Sequence, residues 1–148
     1  MFVSAVTVLT TFAASVVAVP NLAAREVYAT WPADNFEQKC FHPGGCTASF
    51  NINAPAEYVQ GAPAFNAVCN PLSAKQDGTP NCEAVGEAAA GSYVESVWEE
   101  ASAEDLVKLS VFHIWNEGET RYNASGSVEF PASSTTFELP VTSVTAVL

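Results

Sequence analysis

The chain is 148 residues long and carries 16 acidic against 5 basic side chains, a formal net charge of −11, with no charged residue before Arg25. So few cations argue against nucleic acid and anionic membrane as partners, because both need a basic patch. The length suits one domain. The acidic balance suits solubility outside the cell or attraction to a cationic partner.

Residues 1–18 read as a signal peptide. They hold no charged side chain, and Phe2, Val3, Val6, Val8, Leu9, Phe12, Val16 and Val17 make an apolar region. Val16-Val17-Ala18 offers a cleavage site, and Pro20 follows. Ser4, Thr7, Thr10, Thr11 and Ser15 dilute the run, which speaks against a spanning helix. Residues 19–148 are then a single secreted β domain of about 130 residues, enough for a small core.

The domain opens on a short lead-in over residues 21–30. Residues 31–40 are expected to form a first strand, with Pro32 confining pairing there to an edge or a start. After the turn Phe41-His42-Pro43-Gly44-Gly45, residues 46–52 alternate, with Ala48, Phe50 and Ile52 on one side. A loop with two prolines and a glycine (residues 54–63) leads to a third strand over 64–69. Asn70-Pro71 and Asp77-Gly78-Thr79-Pro80 mark another loop. Residues 82–90 are rich in helix formers, and Gly91 offers a stop, so the stretch leaves helix and strand both open and has room for one or two helical turns. Tyr93, Val94, Val97 and Trp98 have helical spacing and tolerable strand content; the compact turn at 102–105 favours strand.

Residues 106–115 form a long strand with Val107, Leu109, Val111, His113 and Trp115 on one face. Phe112 and Ile114 share the other face, so its second half should be covered on both sides. A hairpin loop with Gly118 precedes residues 121–130, which alternate without a break: Tyr122, Ala124, Gly126, Val128 and Phe130 oppose Arg121, Asn123, Ser125, Ser127 and Glu129. The last strand starts at Phe137, and Pro140 places it at an edge or at a bulge. No helix is long enough for a parallel crossover. The fold class is therefore all-β, an antiparallel β-sandwich or barrel with at most one short helix.

Cys40, Cys46, Cys69 and Cys82 are an even set in a secreted chain, hence two disulfides in one of three pairings. The local pairing, Cys40–Cys46 with Cys69–Cys82, is favoured because each pair brackets a turn-rich loop. The nested pairing, Cys40–Cys82 with Cys46–Cys69, closes longer loops, and energy alone does not decide against it.

Catalytic signals are few. His113 lies on an apolar strand face and reads as a core or rim histidine. His42 lies between two cysteines, but in a secreted chain the disulfide reading outweighs a zinc site, so no metal and no cofactor are expected. Glu99, Glu100, Glu104 and Asp105 cluster, and read more simply as a solvated tip than as a glycosidase pair. Trp31, Trp98 and Trp115, with Tyr28, Tyr58, Tyr93 and Tyr122, either fill the core or supply a sugar-stacking platform. Asn123-Ala124-Ser125 is an N-glycosylation sequon on the polar face of its strand.

The residues Val111-Phe112-His113-Ile114-Trp115, then Thr120-Arg121-Tyr122-Asn123-Ala124-Ser125-Gly126, then Phe137-Glu138-Leu139-Pro140-Val141-Thr142, follow a leader and accompany four cysteines. This package resembles the small secreted fungal proteins related to the major allergen of Alternaria, which include hypersensitive-response elicitors. The resemblance covers mainly residues 106–144. It implies an antiparallel β-sandwich or barrel, two intramolecular disulfides, release into the plant apoplast and a non-enzymatic role in host interaction. With all four cysteines bridged internally, a monomer is expected. The function expected is a secreted effector or elicitor binding a host or extracellular protein. The alternatives are a cell-wall glycan-binding module and, third, a small glycoside-acting enzyme.

Overall fold

The computed structural model describes residues 25–73 and 81–148. The expected signal peptide (residues 1–18) and the loop at Asp77-Gly78-Thr79-Pro80 lie outside them. The described chain is all-β and antiparallel. Its strands are β1 Ala29–Phe41, β2 Gly45–Ala54, β3 Phe65–Cys69, β4 Cys82–Ala84, β5 Tyr93–Glu99, β6 Leu106–Glu117, β7 Thr120–Pro131 and β8 Phe137–Val147. They form one sheet in the order β4-β3-β2-β1-β8-β7-β6-β5. The sheet curls until β3 and β4 lie against β5, a nearly closed barrel.

The helical turns for which residues 82–90 had room are not formed. Cys82–Ala84 is instead a short strand, paired with Ala67, Val68 and Cys69 of β3. Helix propensity here is overridden by the cross-strand bridge: Cys82 stands opposite Cys69 in register, and the two are disulfide-bonded. Cys40 stands opposite Cys46 in the β1–β2 pair and is bonded to it. The favoured local pairing is thus the one present. Tyr93–Glu99 is a strand, as the turn at 102–105 suggested.

Two distortions set the curvature. Between Asp34 and Glu37 the β1–β2 register slips, and Asn35 sits at a φ of 52°. The bulge turns Phe36 inward, where it is 3% exposed. On β8 the register with β7 slips between Ser125 (opposite Ser143) and Gly126 (opposite Val141). Pro140 is therefore not on an edge strand, since β8 lies between β1 and β7; it is the bulge that accommodates it. Val141 turns its carbonyl to Tyr28 N, just ahead of β1, at 2.9 Å. The amide side of the preceding position then faces β7, beyond the last β7–β8 pair, where a missing donor costs no ladder bond. Gly126 is required there: a Cβ on it would lie 1.9 Å from Pro140 O.

The alternating residues face the barrel interior as the period of two dictates. Trp31, Phe50, Ile52, Leu109, Val111, Leu139 and Val141 are fully buried. Phe130 and Phe137 stack with centroids 4.5 Å apart, and Phe36 meets Phe130 edge-on at 5.0 Å. Along β6 from these lies a second aromatic group in which Trp31 meets Tyr58 at 5.4 Å and Phe65 at 5.1 Å, both T-shaped, and Trp115 stacks on Tyr122 at 5.3 Å. Each such pair contributes ~0.5–1.5 kcal/mol beyond its burial. On the outer face Ile114 is buried, as expected of a covered strand, but among the described residues no second layer covers it. Tyr93 stands directly opposite it on β5, and the Arg121 guanidinium lies over the Tyr93 ring at 5.6 Å.

Candidate functional site

One end of the barrel is closed on His113. The imidazole is fully buried on β6 between Phe65 (4.5 Å) and Trp115 (5.1 Å). Tyr58 reaches it from the β2–β3 loop, with the hydroxyl 2.7 Å from Nδ1. Ser92, just before β5, places Oγ 2.7 Å from Nε2. Both ring nitrogens are thus satisfied, one donating and the other accepting. Burial holds the imidazole neutral, with its pKa lowered to about 4, and pushes the Tyr58 phenol up. In acyl transfer the histidine must become an imidazolium, normally stabilised by a carboxylate on its far nitrogen. Here a phenol occupies that place, and no carboxylate is bonded to the ring among the described residues. The arrangement fastens two loops to the central strand and opposes proton uptake. Nothing in the sequence links Tyr58 or Ser92 to His113, from which they lie 55 and 21 positions away.

The barrel seam is closed by a side chain. Asn81, ahead of β4, donates from Nδ2 to Ser96 O at 2.6 Å and accepts at Oδ1 from Ser96 N at 3.0 Å. Ser96 Oγ also donates to Oδ1, at 2.7 Å. The amide thereby imitates one more residue of a paired strand and satisfies the β5 edge.

The opposite end is an acidic cleft of about 590 Å³, walled by Cys40 and Cys46 and by Trp98, Glu99, Glu100 and Glu104. Trp98 faces inward from β5 against the core but is left half-buried at the cleft. Glu99 accepts a hydrogen bond from Ser110 Oγ and pairs with Lys108 Nζ at 3.0 Å. The Ser110 hydroxyl first, and then Lys108, hold its carboxyl below the usual range. Glu129 braces the adjacent turn by accepting from Ser102 N at 2.7 Å and from Ser102 Oγ. Glu100, Glu104 and Asp105 are exposed and make no ion pair among the described residues.

The three tryptophans named in the sequence do not form a platform. Trp31 and Trp115 are core residues, 0% and 2% exposed, and Trp98 alone reaches a surface cleft. His42 lies exposed on the β1–β2 turn, flanked by cysteines already bonded to each other. No cluster of His, Cys, Asp or Glu suited to a metal occurs among the described residues, and no helix there is long and apolar enough to cross a membrane. Asn123 lies half-buried on the outer face of β7. The chain matches no protein-family model, no curated protein and no solved structure. The resemblance to the fungal proteins therefore rests on the residues quoted for it.

Proposed function

We propose that the chain is a secreted, non-enzymatic protein of the effector or elicitor type, which binds a host or other extracellular protein through its acidic surface. The observation that carries this reading is the cleft at Trp98, where Glu100 and Glu104 stand exposed and, among the described residues, Lys108 is ion-paired with Glu99 alone. An exposed set of unmatched carboxylates steers a cationic partner and costs little to desolvate at its rim. The neutral, doubly bonded His113 supports a non-enzymatic role, because a buried imidazole that resists protonation is a poor acid or base. Two disulfides are compatible with an extracellular protein and support the reading of residues 1–18 as a leader.

Infiltrating the purified protein into leaf tissue tests the proposal. Cell death or a defence response is expected from the native protein, and a weaker one from E100K/E104K of equal thermal stability. No response to the native protein would count against the effector reading. An equal response to both proteins would remove the cleft from it.

One observation favours a second reading, a glycan-binding module: Trp98 offers a partly exposed indole in a polar cleft, a place where a sugar ring can stack. Retention on chitin or cellulose that is lost in W98A would support it, and free passage of the folded protein over both would end it.

A further inference from the structure

The outer face of β5 to β8 carries an apolar floor with no layer above it among the described residues. The strand registers place Tyr93, Ile114, Asn123 and Thr145 in one row across the four strands, and Glu95, Phe112, Ser125 and Ser143 in the next. Val97 and Val147 extend the floor and are 39% and 66% exposed. The Arg121–Tyr93 pair walls one side of the face, over which lies an open groove of about 570 Å³. That lies within the roughly 300–1,000 Å³ of sites that bury small ligands. The sequon asparagine stands in the groove itself. Asn123 has Ile114 directly across on β6, Phe112 on the diagonal and Thr145 across on β8. Its Oδ1 is buried with no hydrogen-bond partner among the described residues, so the amide is an unsatisfied polar group set in this apolar floor.

We propose that Asn123 carries an N-linked glycan whose first N-acetylglucosamine lies in this groove and covers Ile114, Phe112 and Tyr93. The inference rests on the reading that the chain enters the secretory route. A mid-strand sequon is no obstacle, because the sugar is transferred to the chain before the strand is paired. A pyranose ring has an apolar face for the floor, and its acetamide and hydroxyls meet Glu95, Arg121, Thr145 and Ser125 at the rim. A sugar tethered in the groove also blocks a second copy or a separate protein from the same face. Protein partners are then directed to the acidic end.

The test uses the full chain made in a eukaryotic secretory host, with its own N-terminus and, separately, behind the host's leader. The expected product in the medium has a mass excess that peptide-N-glycosidase removes and that N123Q and S125A lack. Trimming to a single N-acetylglucosamine should leave binding of the apolar dye 1-anilinonaphthalene-8-sulfonate unchanged. Complete removal, and N123Q independently, should raise it several-fold. A nuclear Overhauser contact between the acetamide methyl and the Tyr93 or Phe112 ring is expected in the trimmed protein. Retention of the native form inside the cell, with glycosylation behind the host's leader, would break the secretion reading and uphold this one. Unmodified protein in the medium behind the host's leader would overturn the inference. So would an unmodified dimer dissociated by V97E, which would assign the face to a second copy. A glycosylated protein whose dye binding does not change on complete removal would overturn the covering role.

Discussion

Replacing His113 by Leu, of similar volume, removes both ring nitrogens from a fully buried position and should act in two separable ways. The first is independent of pH. The Tyr58 and Ser92 hydroxyls, each 2.7 Å from the ring, lose their partners inside a half-buried shell. At about 1 kcal/mol for each, the loss at neutral pH is about 2 kcal/mol. The second depends on pH. The unfolded chain protonates this histidine near 6.5, whereas the folded chain does so only at about 4. Between those values the unfolded state binds more protons, so native stability is full above 6.5 and declines as pH falls toward 4. The displacement corresponds to about 3 kcal/mol. Urea unfolding followed by the fluorescence of buried Trp31 and Trp115 gives the free energy at each pH. All other groups are common to native protein and variant, so the difference between them isolates His113. That difference should be about 2 kcal/mol at neutral pH and should vanish or reverse by about pH 4. H113Q retains a donor and an acceptor but does not titrate; it should lose less at neutral pH and show the same convergence. A difference that stays constant over this range would refute the buried neutral imidazole.

Three further outcomes test the fold that positions the site. Removing the Cys69–Cys82 bridge, which spans 13 positions and includes a fully buried sulfur, should cost about 3 kcal/mol in chemical unfolding. Removing Cys40–Cys46, which spans 6 positions at the exposed β1–β2 turn, should cost less; equal losses would contradict the chain-entropy account. N81A should open the seam, destabilise by about 2–3 kcal/mol through three unpartnered groups of Ser96, and speed exchange of the Ser96 amide. An unchanged exchange rate would show that the seam is closed by something else. G126A forces a methyl into Pro140 O at 1.9 Å, so a loss of about 3 kcal/mol or failure to accumulate folded protein is expected, and a native-like melting temperature would refute the close approach.

Much of the fold was legible because it is written in a period of two. Residues 121–130 alternate strictly, residues 106–115 carry one continuous face of period two, and in the structure Val107, Leu109, Val111, His113 and Trp115 are buried along that face of β6. The cysteine pairing was legible because bracketed turns place Cys40 opposite Cys46, and Cys69 opposite Cys82, in hairpin register. Propensity misled over residues 82–90, where local helix preference, worth tenths of a kcal/mol per residue, yields to a disulfide and a strand edge. Pro140 was legible as a bulge or an edge, and only the sheet order separated the two.

The sequence by itself determined an all-β chain, acidic, with paired cysteines and one sequon at Asn123, because composition and alternation are local properties that need no partner. Only the tertiary structure decided that Trp31 and Trp115 are core while Trp98 reaches a cleft, that Tyr58 and Ser92 meet on His113, and that Asn123 stands over an apolar floor. Each of these depends on which strands become neighbours and how far the sheet curls. Such long-range closure is set by the summed packing of the barrel, not by any window of residues.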